Sequence, residues 1–289
     1  MAAGETEATV RAIQRSDGIE RHSFLGTSFD QLPYASVVKL IGETKGKDGF
    51  RYVVTPNVDH VVRLSRMPQL NSCYDEAWLS LCDSRPMSWL AHFMPPLSLP
   101  RVTGADLTAG LFAEVIAAGD RISIIASSEE VVQRMRGKYP ALDLHAYTPP
   151  HGFADNPVEM MRCIDFILDS QADFTFIAVG SPQSEKLAFA VSQEPTARGI
   201  CLCVGASLEF LTGIKQRAPH WMQSLGIEWL HRLGSDPRRL WRRYVFAFPP
   251  FARLAASEAK HRWGRAAHKL ALHTEAALSR LLHGHRAFR

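Results

Sequence analysis

Asp83 closes the apolar run WLSLC at residues 78–82. A carboxylate there projects from a sheet edge into a partly desolvated cleft, where its working pKa suits a general base. The same position also suits capping of a helix beginning near Pro86. Thr55 and Asn57, in the segment TPN, have a similar double reading. They could hydrogen-bond a ligand at a strand end, or cap a helix running through His60 and Arg63. Gly104, Gly180 and Gly205 each follow or interrupt a strand end, where glycine either turns the chain or lets backbone amides approach a phosphate. Arg101 and Arg217 are the ready cations should a diphosphate leave. Asp106 reads as the cap of its own helix, and His60 as a satisfied surface or core histidine.

Other chemistries lose their support by absence. The chain has no G-x-G-x-x-G fingerprint and no phosphate loop ending in GK[ST]. Apart from Glu5 and Glu7 no two acids stand two residues apart, and no H-E-x-x-H frame occurs, so neither a metal nor a cofactor is expected. The five cysteines lack paired ligand spacing and read as reduced, mostly buried thiols.

These residues need elements to hold them. Short apolar runs at 52–54, 78–82, 122–126, 174–179 and 200–204 predict strands, and amphipathic segments at 58–66, 106–118, 129–139, 157–170 and 184–192 predict helices between them. Such alternation implies parallel strands joined by crossover helices, hence an α/β fold. Ligands of such sheets bind beyond the carboxyl ends of the strands, where the loops TPN, DSRP, RVTGAD, ASSEE, GSPQSE and GASLEF fall.

Charge divides the chain of 289 residues. Residues 214–289 hold 15 Lys and Arg against 4 Asp and Glu, while the remainder carries 18 against 25. Within the basic end, arginines alternate with Trp221, Trp229, Trp241 and Tyr244, a pattern suited to a surface where phosphate meets hydrocarbon. Beyond Pro250 one amphipathic helix is expected, with Trp263, Ala267, Leu270, Leu278 and Leu281 on an apolar face. Arg262, Arg265, Lys269, His273 and Arg280 fall on another. It would lie in an anionic headgroup layer, or else dock on the body or on a second subunit. The resulting division is a flexible leader at 1–21, an α/β body at 22–213, an appendage at 214–250 and a basic tail at 251–289. With no spanning segment and no signal-like start, the expected location is cytoplasmic, peripheral on the inner face of the plasma membrane. No nucleic-acid recognition motif accompanies the basic charge, and the body is acidic, so nucleic acid is not an expected partner. A homo-oligomer is compatible with the sequence.

TPNVDHVVRL at 55–64, an Asp about 25 residues on, RVTGAD at 101–106, HGF at 151–153, GSP at 180–182 and the block RAPHWMQSLGIEWLHRL through DPRRLWRRY together resemble the bacterial WecG/TagA/CpsF glycosyltransferases. The resemblance implies a Rossmann-like body, mostly parallel and covered by helices on both faces, with a basic helical appendage that completes the active site and touches the membrane. It implies an inverting, metal-independent transferase moving a sugar of the N-acetylmannosamine type, or a related hexose or uronic acid, from a UDP-sugar to an undecaprenyl-diphosphate-linked acceptor. The products would be exopolysaccharide or envelope polymers. Thr55 and Asn57 match the family's T-x-N motif, Asp83 its catalytic carboxylate and Arg217 the arginine of its RAP motif. Arg101, Thr103, Gly104, Gly180, Gly205 and Glu209 fall in the shared strand-end segments, and Arg232, Arg238, Arg239, Arg242 and Arg243 supply appendage cations for a diphosphate. Three positions depart from the pattern: Ser84 follows Asp83 in place of glycine, Ser184 stands where a glutamine belongs, and Leu208-Glu209 replaces Phe-Asp.

Overall fold

The computed structural model describes residues 13–14, 18–94, 97–219, 221–222, 225, 227–235, 237, 241 and 245–264. The chain opens with a small antiparallel sheet, β1 (Ile13–Gln14), β2 (Glu20–Phe24) and β3 (Thr27–Asp30). Leu25 and Gly26 join β2 to β3 with φ of 54° and 74°, the left-handed pair that a two-residue hairpin requires. The boundary read at residues 21 and 22 falls inside β2. There Arg21 is buried and binds Asp30 through Nε (2.8 Å) and Nη2 (2.7 Å), and it also donates to the carbonyls of Asp75, Ala77 and Trp78.

Helix α1 (Tyr34–Thr44) leads into the main body, which runs β4 (Phe50–Val54), α2 (Val58–Arg66), α3 (Ser72–Asp75), β5 (Leu79–Ser80), α4 (Arg85–His92) and α5 (Gly104–Gly110). After a π turn at Leu111–Val115 come β6 (Arg121–Ala126), α6 (Glu129–Lys138), β7 (Asp143–Tyr147), α7 (Pro157–Ser170), β8 (Phe174–Ala178), α8 (Gln183–Ser192), β9 (Gly199–Cys203) and α9 (Ser207–Leu211). Strands β4 to β9 form one six-stranded sheet in the order β5-β4-β9-β8-β6-β7, parallel throughout. The apolar runs produce this result because a parallel sheet is covered on both faces, so its strands bury both sets of side chains. Val53, Ile124, Phe176 and Leu202 pack with α1, α5, α6 and α9 on one face. Tyr52, Val54, Ile177 and Cys203 pack with α2, α3, α7 and α8 on the other. The chain therefore leaves β4 towards one face and the adjacent β9 towards the opposite face. That reversal opens a crevice at the strands' carboxyl ends.

A third apolar cluster joins the hairpin residues Phe24, Leu25 and Phe29 to Met87 and Ala91 of α4, and Phe251, Leu254 and Ala259 pack against it. These last three belong to a continuous helix over residues 245–264, which crosses the boundary read at 250 and 251. Its docking overturns the expected facing of Arg262. Arg262, expected among exposed cations, is buried, donates to the Ser23 carbonyl (2.7 Å), pairs with Glu258 (2.5 Å) and lies over the Phe24 ring. Trp263, expected on the apolar face, is 61% exposed and does not pack on the body. The register is set by the hairpin: Glu258 accepts the Leu25 amide (3.2 Å), a group that the left-handed turn leaves outside the strand ladder. Ala267, Leu270, Leu278, Leu281, Arg265, Lys269, His273 and Arg280 lie outside the described residues. Among the described residues no helix is long and apolar enough to cross a membrane.

Candidate active site

The crevice is lined first by the segment after β4. Asn57 caps α2, its Oδ1 accepting the Asp59 amide (3.0 Å), and Asp59 in the first turn with Arg63 and Arg66 in the last suits the helix dipole. Thr55 and Pro56 precede it. Asp83 comes from the next strand over, where its amide donates to the Pro56 carbonyl (3.0 Å) and brings the two loops together. The cap of α4 is not Asp83 but Ser84, whose hydroxyl accepts the Met87 amide (3.3 Å). That choice explains the serine in place of glycine: Ser84 has extended backbone, which any residue adopts, and its side chain supplies the helix's missing acceptor.

Asp83 Oδ2 accepts the amide of Gly104 (3.2 Å) at the start of α5. Space is tight at Gly104. A Cβ there would lie 3.1 Å from Thr55 Oγ1 and 3.3 Å from Ser207 Oγ, so Asp83, Thr55, Gly104 and Ser207 meet within one contact shell. Ser207, at the start of α9, donates to the Val204 carbonyl (2.6 Å) and brings the Gly205 loop to this point. Gly180 and Gly205 have φ of 86° and 52° with open space where a side chain would project.

Helix α5 is capped by Thr103, correcting the expectation that Asp106 caps it. Thr103 Oγ1 accepts the Asp106 amide (3.0 Å) and donates back to Asp106 Oδ2 (2.7 Å). Asp106 Oδ1 holds Arg217 Nη1, which brings the RAP segment to the rim. Burial pushes the Asp106 carboxyl up, but hydrogen bonds from Arg217 and Thr103 and the charges of Arg217 and Arg101 outweigh it and hold it below the usual carboxylate range. Arg217 Nε is buried and has no hydrogen-bond partner among the described residues.

Arg101 bridges in backbone register with Cys82, beside Asp83, and its guanidinium lies 3.9 Å from Glu228 on the helix Glu228–Ser235. The appendage thus reaches the crevice. Burial and the neighbouring Arg101 charge hold Arg85 below its ordinary range, so two guanidinium groups flank the Asp83 loop. Glu209, two residues after Ser207 on α9, pairs with Lys215. Gly180 lies with Ser181, whose hydroxyl receives Arg63 Nη1 (2.7 Å). Arg232 belongs to the appendage helix by its backbone, while its side chain and Arg238, Arg239, Arg242 and Arg243 lie outside the described residues.

Sequence reasoning missed Ser207, Arg85 and a buried pair formed by His60 and Glu185 (3.4 Å). Ser207 and Arg85 do lie in loops singled out as strand ends, and that was their available signal. The pairing of His60 with Glu185 spans 125 residues of sequence and left no local trace.

A carboxylate, two hydroxyls and a backbone amide at a strand-end crevice, rimmed by arginines, can accept a proton from a nucleophile and stabilise a departing anion. The sequence model described as the glycosyl transferase WecG/TagA/CpsF family matches residues 22–265. That match covers most of the chain, including every loop of the crevice. The protein belongs to the WecG/TagA/CpsF family of glycosyltransferases, which act in making cell-envelope polymers.

Proposed function

We propose that the protein transfers a sugar from a UDP-sugar, of the N-acetylmannosamine type or a related hexose or uronic acid, to an undecaprenyl-diphosphate-linked glycan, with inversion and without a metal. The observation that carries this reading is the convergence of Asp83, Thr55 and Gly104 at the tips of β4 and β5. Asp83 deprotonates the acceptor hydroxyl as it attacks the anomeric carbon from the face opposite UDP. Thr55, Asn57, Thr103, Gly104, Gly180, Gly205 and Glu209 bind the donor. Arg101 and Arg217 neutralise the diphosphate as it leaves, with Arg232, Arg238, Arg239, Arg242 and Arg243 gripping the diphosphate of donor or lipid.

A lipid-linked acceptor is supported by the opposite end of α2. A groove of ≈ 580 Å³ there is lined by Arg66, Phe246, Pro249, Pro250, Arg253 and Leu254, combining two cations with an apolar wall. One length of α2, about 13 Å at 1.5 Å per residue, separates that end from Asn57. Phe246 and Phe248 are 64% and 69% exposed, which favours peripheral attachment of this face to an anionic bilayer.

Purified protein should release UDP from a sugar nucleotide only when a polyprenyl-diphosphate glycan is present, and should do so in EDTA. UDP release that requires a divalent ion, or that proceeds equally without the lipid acceptor, overturns the reading.

A further inference from the structure

Glu185 is a buried charge that the mechanism above does not use. It is 4% exposed and lies in the first turn of α8. Its Oε1 faces His60 Nε2 at 3.4 Å, while Oε2 is buried with no hydrogen-bond partner among the described residues. The helix dipole offsets part of that charge, but a carboxylate with one stranded oxygen is costly to keep unless its remaining contact matters.

That contact leads to Asn57. On the far side of the ring, His60 Nδ1 lies 3.2 Å from the Asn57 backbone N and 2.8 Å from Asn57 Oδ1. Tyr74 packs edge-on against the ring, and both Tyr74 and Arg63 reach Ser181. The imidazole, carried on α2, is therefore held by Tyr74 of α3 and Glu185 of α8. The two ring nitrogens thus each face a side-chain oxygen, Asn57 Oδ1 at Nδ1 and Glu185 Oε1 at Nε2, so the ring links the carboxyl group to the amide. Asn57 Oδ1 accepts the Asp59 amide and meets the His60 ring, which leaves Nδ2 as the donor the side chain can offer elsewhere.

We infer that Glu185 and His60 are positioning residues that fix the side chain of Asn57, so that Asn57 offers a hydrogen-bond donor to an oxygen of the nucleotide-sugar. This rests on the reading of Asn57 as a donor-binding residue. The pair touches neither substrate nor reacting atoms and acts through Asn57 alone.

The test compares wild type with Glu185→Gln, His60→Ala and the double variant. Two readouts are used: UDP titration, and ¹⁵N NMR of histidine-labelled protein in the free state. Each single variant weakens UDP binding about five- to tenfold, the scale of one misplaced hydrogen bond, and raises the donor KM while kcat stays within about twofold. The double variant loses no more than the worse single, because both act on one residue. Glu185→Gln, still folded by circular dichroism, shifts the ¹⁵N resonances of the His60 ring. Losses that add, unchanged UDP affinity in Glu185→Gln, or His60 ring resonances that Glu185→Gln leaves in place overturn the inference. Should wild type fail to bind UDP at all, the donor reading falls, and the NMR spectra still decide whether Glu185 sets the state of His60.

Discussion

Replacing Asp30 by alanine should cost more than any other single change outside the crevice. Asp30 accepts two hydrogen bonds from Arg21 and one from the Ser80 amide (2.7 Å), and both members of the ion pair are buried. Asp30→Ala leaves a buried guanidinium without its counter-charge and the β5 amide without its acceptor. Breaking a buried pair from one side typically costs about 3–5 kcal/mol. At about 2–4 °C per kcal/mol for a body of this size, the melting temperature should fall by about 6–20 °C in differential scanning calorimetry. Function should suffer as well, because β5 is the strand that delivers Asp83 and Arg21 ties its start to the hairpin through the Ala77 and Trp78 carbonyls. Arg21→Met with Asp30→Leu should recover part of the loss, since it removes the charge together with its partner. A drop of under about 1 kcal/mol, the range of an exposed pair, would refute the buried-network argument.

Other outcomes follow from the same geometry. Gly104→Ala should destabilise by about 1–3 kcal/mol by crowding Thr55 and Ser207, and should reduce turnover; wild-type stability would mean that the loops open freely. The Asp106 carboxyl is depressed in the folded state, so its contribution is present above the ordinary carboxylate range near pH 4 and is lost as pH falls through the folded value. The stability gap between wild type and Asp106→Asn should therefore close on acidification in pH-dependent denaturant melts, and a gap that widens would contradict the assignment. All five cysteines are buried, and burial pushes Cys82 and Cys163 up to about 12 and Cys73 to about 11. A thiol reagent at pH 8 should label them only after denaturation; rapid native labelling would show that the core opens.

Strands were legible where both faces are buried, because an unbroken apolar run has few other uses in a soluble body. The same logic hid β7: it is a sheet edge, and Asp143 and His145 point partly to solvent and pair with each other (3.0 Å). The N-terminal hairpin was hidden because its left-handed turn uses Leu-Gly in place of the usual Asn-Gly, a substitution offset by tertiary contacts from Glu258 and the buried Leu25 side chain. Helix α1 did carry a signal, with Val37, Val38 and Ile41 on one buried stripe. In the crevice the loops themselves were readable, since strand ends are where such sheets bind ligands. What separated Asp83 from Ser84 as cap, or turned Arg262 inward, was pairing across the fold with Gly104 and Ser23, which no local spacing records.

The proposed reaction turns on Asp83 taking the proton from the acceptor hydroxyl. Its most direct measurement is steady-state turnover of Asp83→Asn with a UDP-sugar and a polyprenyl-diphosphate glycan, alongside UDP affinity. kcat should fall about 10²- to 10⁴-fold with UDP binding retained. Turnover at the wild-type rate would contradict it.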